Sequence, residues 1–463
     1  MGKNDGIRDG FKELGTGKMM VLGLQHVFAM FGATVLVPII TGLSISVTLF
    51  CAGLATIWFY FITKRKVPIF LGSSFAFLSA FAAIAPKLLD AAGEATVPNL
   101  EMLPYATLGV VASGIMYVIL AILFGVFGAK KIMRLFPPVV TGPIIILIGL
   151  TLAPSAVNNA QTNWVLAIIA IVLIVAVNLF AKGMVKIVPI LIGIFGSYII
   201  GLIVGLINPN MFGLSWVNLA GFKDAAIVSV PPFMTYSPLR FVTGAQAFDP
   251  AIGWPAIITF CAVAIAAMVE HIGDICAIGA TTGENYIADP GLTRTLLGDG
   301  LGTSIAGLFG GPANTTYSEN TGVVALTKVY DPKVMLIAAI MAIVLSFLNI
   351  FDVFINTIPA SIIGGISIVL YGMISATGVR TIVENQVDFK NMRNVIVAAL
   401  ILVAGLGFGT YPVVIGKLTF GGLFMAAFTG IIANAILPGK DYEFKEVADS
   451  KAGVWHDPKA DDK

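Results

Sequence analysis

Long apolar stretches alternate with short polar ones along almost the whole chain. Runs such as LIGIFGSYIIGLIVGLI (191–207) and NVIVAALILVAGLGFG (394–409) have the length and purity of bilayer-spanning helices. The alternation predicts about fourteen spans, at 19–41, 45–63, 68–85, 105–127, 136–154, 163–181, 187–207, 254–275, 296–309, 317–329, 333–351, 359–378, 394–411 and 418–437. The third and tenth differ from the rest. PIFLGSSFAFLSAFAAIAP and GGPANTTYSENTGVVALTKV each open on Gly or Pro, pass through a polar patch and end in a short apolar run. Neither reads as a full-length membrane helix. Two connections are long: 208–253, rich in Pro and aromatics, and RTIVENQVDFKNMR (380–393), which is amphipathic and expected to lie along the membrane surface.

Composition agrees with a polytopic, all-α membrane protein. Of 463 residues, 57% are hydrophobic and 11% charged, with a mean hydropathy of +0.95, where globular proteins carry about 25% charged residues. The basic residues orient the spans. With both termini inside, only Lys87, Lys223, Arg240 and Lys417 fall outside, and every other Lys and Arg is cytoplasmic. The N-terminus, MGKNDGIRDGFKELGTGK, is mixed in charge, with no short apolar region and small-residue cleavage site, so no removable signal peptide is expected. Cys51, Cys261 and Cys276 are scattered through apolar segments, which fits packing better than a disulfide or zinc site. No basic, aromatic-interleaved patch suggests a nucleic acid.

The two halves echo each other. MRLFPPVVTGPIIILIGL (133–150) opens the fifth span and INTIPASIIGGISIVLYGM (355–373) the twelfth. Seven spans apart is an odd number, so the two units would face opposite sides of the membrane, as in inverted-repeat transporters. The same offset pairs the third span with the tenth. Short, Gly/Pro-interrupted segments in matching positions point to a midplane binding site, since irregular backbone survives at that depth only where protein or a water-filled cavity satisfies it.

Acids within the spans are few. Glu270 and Glu319 lie deepest, and Asp274 follows Glu270 by one helical turn, on the same face. A charge at the bilayer centre costs roughly 2.5–3.5 kcal/mol on insertion scales, so such groups mark pathways and proton relays. Metal and hydrolytic chemistry fail on inventory: the histidines are His26, His271 and His456, and no HExxH occurs. His271 faces another side of its helix from Glu270 and reads as a packing or hydrogen-bonding residue. GLGTSIAGLFGG lacks the Lys of a phosphate-binding loop, and its glycines suit close helix packing. No cofactor and no enzymatic constellation is indicated. Transport driven by an ion gradient is what remains.

The stretch from Glu319 to Lys328, ENTGVVALTK, resembles the signature [QEP]-N-x-G-x4-T-[RKG] of the nucleobase/ascorbate transporter family. LQHVFAMFGATVLVP (24–38), FLGSSFAF (70–77), EHIGD (270–274), DPGLTRTLLGDGLGT (289–303) and NTTYSEN (314–320) are similar to its uracil–xanthine permease branch, with likeness from about residue 19 to 437. The resemblance implies two inverted repeats of seven spans, with spans 3 and 10 each a short strand continuing as a half-helix. It implies a core domain (1–134 and 251–352), a gate domain (135–250 and 353–440), a cytoplasmic tail (441–463) and a cytoplasmic-membrane location. It also implies proton-coupled import of uracil, with xanthine or urate as the alternative substrate, sodium as an alternative ion, and lipid and a second copy as further partners. An anion transporter of the same architecture is a remoter reading, and it would want a basic residue near the tenth-span half-helix; none occurs between Gly310 and Leu326.

Carried over by position, Glu270 and Glu319 bind the base, Phe75 and Ser318 offer backbone groups, Ala33 lines the site, and Glu270, Asp274 and Glu319 handle the proton. Two positions leave the pattern. Uracil carriers often have His where this chain has Asp274, and Gly where it has Ser318. Asp at the first position resembles the xanthine and urate branch, which commonly has Gln in place of Glu319.

Overall fold

A computed structural model of the chain describes residues 6–456 apart from 90–94, 183–184, 186–187, 208–225, 356, 417, 440–442 and 446–453. Most of the expected cytoplasmic tail, and the first part of the 208–253 connection, therefore lie outside the described residues. The described chain is mainly helical. The principal helices are α1 (Gly15–Thr41), α2 (Ile45–Ile62), α3 (Leu78–Ile84), α4 (Leu103–Phe127), α5 (Pro138–Ala160), α6 (Trp164–Phe180) and α7 (Pro189–Ile207). They continue as α8 (Pro250–Thr282), α9 (Leu292–Leu308), α10 (Ser318–Thr327), α11 (Lys333–Ser346), α12 (Ala360–Glu384), α13 (Met392–Thr410) and α14 (Gly422–Ile436). Seven of them, α1, α2, α4, α5, α8, α12 and α13, are long and apolar enough to cross a bilayer unaided.

Local sequence accounts for the helix ends. The side chains of Ser44, Asn163, Asp249 and Asn391 accept hydrogen bonds from backbone N–H groups at the starts of α2, α6, α8 and α13. Pro104, Pro138 and Pro250 occupy first-turn positions where a missing N–H costs nothing. Gly42 and Gly283 end α1 and α8 in the left-handed conformation, with φ of 82° and 71°.

Apolar side chains point both inward and outward, as a bilayer permits. In α6, Ala170 and Ile174 are fully buried while Val172 and Leu179 are exposed. Helix α9 packs against α4 and α2, α11 against α2 and α1, and α8 against α4. Helix α12 packs against α5 and α6, and α13 against α14 and α5. Small residues set these approaches. A Cβ added at Gly300 would lie 2.4 Å from Tyr117 Cβ, and one at Gly149 would lie 2.2 Å from the Tyr371 carbonyl oxygen.

Two regions differ from the sequence expectation. Helix α8 runs over 33 residues, well beyond 254–275: Asp249 caps it earlier, Pro255 is accommodated near its start, and it ends only at the left-handed Gly283. The segment 380–393 is not wholly a surface element: α12 continues to Glu384, since Ile382 packs where a Cβ on Gly142 would otherwise reach.

Between these helices lie two short strands, β1 (Leu71–Ser73) and β2 (Asn314–Thr316), paired antiparallel with Leu71 opposite Thr316 and Ser73 opposite Asn314. A 3-10 turn, Phe75–Phe77, leads from β1 into α3, and α10 follows β2 after Tyr317. Every residue of both strands is buried. By pairing with each other, the strands satisfy backbone that could not be left bare at this depth. Threonines on neighbouring helices complete the pairing. Thr56 of α2 donates to the Leu71 carbonyl at 3.2 Å and accepts from its N–H at 2.9 Å. Thr303 of α9 does the same for Asn314, at 3.2 Å each way.

Candidate functional site

The crossing of β1 and β2 aims the first turns of two half-helices at one place. Neither Ser74 nor Tyr317, the residues before those turns, makes a side-chain cap, so no N-cap side chain competes with a ligand for the opening N–H groups and the positive dipole ends. Tyr317 pins the crossing. Its N–H bonds the Phe70 carbonyl at 3.0 Å, and its hydroxyl donates to the Ser73 carbonyl at 2.9 Å and accepts from Thr34 Oγ1 at 3.2 Å. Asn320, in the first turn of α10, donates to the carbonyl of His26 in α1 at 3.0 Å.

A cavity of about 410 Å³ opens in front of these turns. Its walls include Phe75, Glu270, Asp274, Ser318 and Glu319, with Phe75 separated in sequence from the others by 195 to 244 positions. Ala33 is not among its walls. That residue is fully buried behind the crossing, with its carbonyl 3.4 Å from Ser73 Oγ. The far side of the cavity comes from α5, α7 and α12, through Ile145, Ile190, Met373 and Thr377.

The carboxylates play different parts. Glu270 Oε2 is buried with no hydrogen-bond partner among the described residues, and Glu319 sits in the first turn of α10. Both face the cavity with acceptor capacity to offer. Asp274 is already engaged. Its two oxygens lie 2.6 Å from Thr316 Oγ1 and 2.9 Å from Ser318 Oγ, accepting from both hydroxyls. The Ser318 hydroxyl thus meets the Asp274 carboxylate, and together they tie α8 to the start of α10.

Several lining and supporting residues carry no clear signal in the sequence. Arg380 of α12 lines the cavity mouth, where its Nε donates to Glu384 Oε1 at 2.6 Å; its i, i+4 spacing from Glu384 is visible in the sequence, but its reach into the cavity is not. Phe75 stacks edge-on against Tyr371 of α12, with ring centroids 5.7 Å apart. Asp299 of α9 is a further carboxylate, fully buried.

Chemically, the arrangement can hold a small neutral ring that carries N–H groups beside carbonyl oxygens. Carboxylates take the N–H groups, the half-helix N–H groups take the oxygens, and Phe75 covers a face. Comparison with known proteins points the same way. Residues 17–414 match the profile of the xanthine/uracil permease group, described simply as a permease family. The chain is 36% identical to the uracil permease of Bacillus caldolyticus over 92% of its own length and 93% of that protein's. It is 39% identical to a probable uracil permease of Pasteurella multocida, over 91% and 94% respectively. Among solved structures it resembles the transmembrane domain of the cyanobacterial bicarbonate transporter BicA, with a TM-score of 0.54 at 16% identity, covering 93% of this chain and 99% of that one. At that identity the likeness concerns the fold.

Proposed function

We propose a function from one premise: the chain belongs to the xanthine/uracil permease family, the nucleobase/ascorbate transporters. It is a multi-pass membrane protein and transports uracil. In this reading entry of the base is coupled to an inward proton gradient, and import proceeds by alternating access. The observation that carries it is the convergence of Glu270 and Glu319 on one cavity with two uncapped half-helix starts.

Uracil's alternating N–H and C=O edge matches that donor and acceptor set, and a site built to pair polar edges rejects rings that leave its own groups unpaired. The architecture proposed is about fourteen spans in two inverted repeats of seven. The matched roles of Thr56 in α2 and Thr303 in α9, seven helices apart, support it. A core of residues 1–134 and 251–352 would carry the base past a gate of 135–250 and 353–440. The packing of α12 on α5 and α6, and of α9 on α4 and α2, supports that division. Both termini and the tail from 441 would be cytoplasmic, with the protein in the cytoplasmic membrane.

The experiment is uptake of labelled uracil by transport-deficient cells expressing this chain, competed with unlabelled uracil, xanthine and uric acid. Uracil is expected to compete most strongly. Displacement by xanthine alone would transfer the assignment to the purine-carrying branch, the alternative that Asp274 keeps open.

A further inference from the structure

Asp299 and His271 form a pair that the transport reading does not use. Both are fully buried, and His271 Nδ1 lies 2.8 Å from Asp299 Oδ2 across the α8–α9 contact. Neither lines the cavity. Yet His271 directly follows Glu270, whose Oε2 has no hydrogen-bond partner among the described residues. On the other side Tyr117 of α4 stands edge-on to the imidazole, with ring centroids 6.3 Å apart. The outer atoms, His271 Nε2, Asp299 Oδ1 and the Tyr117 hydroxyl, likewise have no partner among the described residues.

We propose that His271 and Asp299 share one proton and act as a positioning pair for Glu270, keeping the carboxylate behind the site electrically silent. This rests on the proton-coupled reading of the cavity. An imidazole and a carboxylate with one proton between them, beyond the one the neutral imidazole already carries, have no net charge, whichever of them holds it. Without the imidazole, Asp299 is a buried, unpaired carboxylate that must hold a proton itself or set a negative charge beside Glu270 and Asp274. The groups facing the pair are Tyr117 from α4 and Glu270 and Asp274 from α8 itself, while Tyr317 and Glu319 of the α10 segment face Glu270. None of these can carry a positive charge, so His271 is the neutralising partner among them.

The test compares His271→Ala, His271→Gln and the double variant His271→Gln/Asp299→Asn. Each is read by the pH dependence of labelled uracil uptake and by monodispersity in detergent. Alanine leaves Asp299 Oδ2 without a donor and is expected to lower uptake roughly tenfold. Glutamine restores a donor but not a shareable proton. It is expected to recover uptake while moving the pH midpoint of uptake upward by about one unit. A purely structural hydrogen bond would be rescued by glutamine in both respects, so a His271→Gln midpoint equal to wild type overturns the proposal. If His271→Gln yields no folded protein, the lone carboxylate is the defect, and the double variant must then be monodisperse; a double variant as defective as the single one overturns the proposal. Wild-type uptake that does not vary with pH would remove the proton-coupled reading instead, and the pair would be judged on folding alone.

Discussion

Glutamine in place of Glu319 or Glu270 is expected to remove most uracil uptake while leaving the protein folded and in the membrane. A carboxylate only accepts hydrogen bonds, whereas glutamine presents an N–H₂ group to a base whose facing group is itself an N–H. The swap changes little volume, and among the described residues neither glutamate makes a side-chain bond that holds two helices together, in contrast to Asp274. Each variant forfeits a hydrogen bond to a charged group, worth about 1.5–3 kcal/mol, which converts to roughly 10- to 100-fold in affinity. Saturation binding of labelled uracil to purified protein reads this apart from expression. Wild-type affinity in either variant would take that residue out of the site.

Valine at Gly72 should be as damaging, although Gly72 does not line the cavity. A Cβ there would lie 2.4 Å from Cε2 and Cζ of Tyr317, so the ring has to move. Tyr317 carries the bonds to Ser73, Thr34 and Phe70 that fix the start of α10. Its displacement therefore carries Ser318 and Glu319 with it. A shift of about 1 Å at a positioned group costs on the order of 10²-fold, so uptake should fall by about that factor while the protein stays monodisperse. Valine at Gly407 of α13, where an added Cβ meets nothing within 4 Å and which does not line the cavity, is the control and should be mild. If the Gly72 variant transported normally, the crossing would not be what positions the site.

Much of this architecture is legible in the amino-acid sequence, for identifiable reasons. Hydrocarbon tolerates so little polarity that NTTYSEN and LGSS stand out against their surroundings, and the same filter exposes Glu270, Asp274 and Glu319. The glycines of GLGTSIAGLFGG read as contact points, and a Cβ at Gly300, Gly302 or Gly307 would indeed meet α2 or α4. Pairings between distant residues are not readable in this way. Asp274 and Ser318 are separated by 44 positions, and nothing local in either stretch says that the hydroxyl of one reaches the carboxylate of the other. Asp299 sits in a glycine-rich helix that gives its carboxylate no local context, and only the fold brings it to His271. Ala33 lies behind the crossing rather than on the cavity wall, and a smooth apolar helix gives no sign of which face meets the cavity. The surface expectation for 380–393 fails at its start, where charge patterning suggests an interface but the packing of Ile382 on Gly142 extends α12 to Glu384.

The central claim is that a nucleobase is held at the crossing of two broken spans and enters with a proton. The most direct test uses purified protein in proteoliposomes, with labelled uracil outside and an imposed inward proton gradient. Uracil should accumulate above its outside concentration, a protonophore should abolish that accumulation, and the Glu319→Gln protein should show none. Uracil entry that ignores the gradient, or equal accumulation by the Glu319→Gln protein, would contradict it.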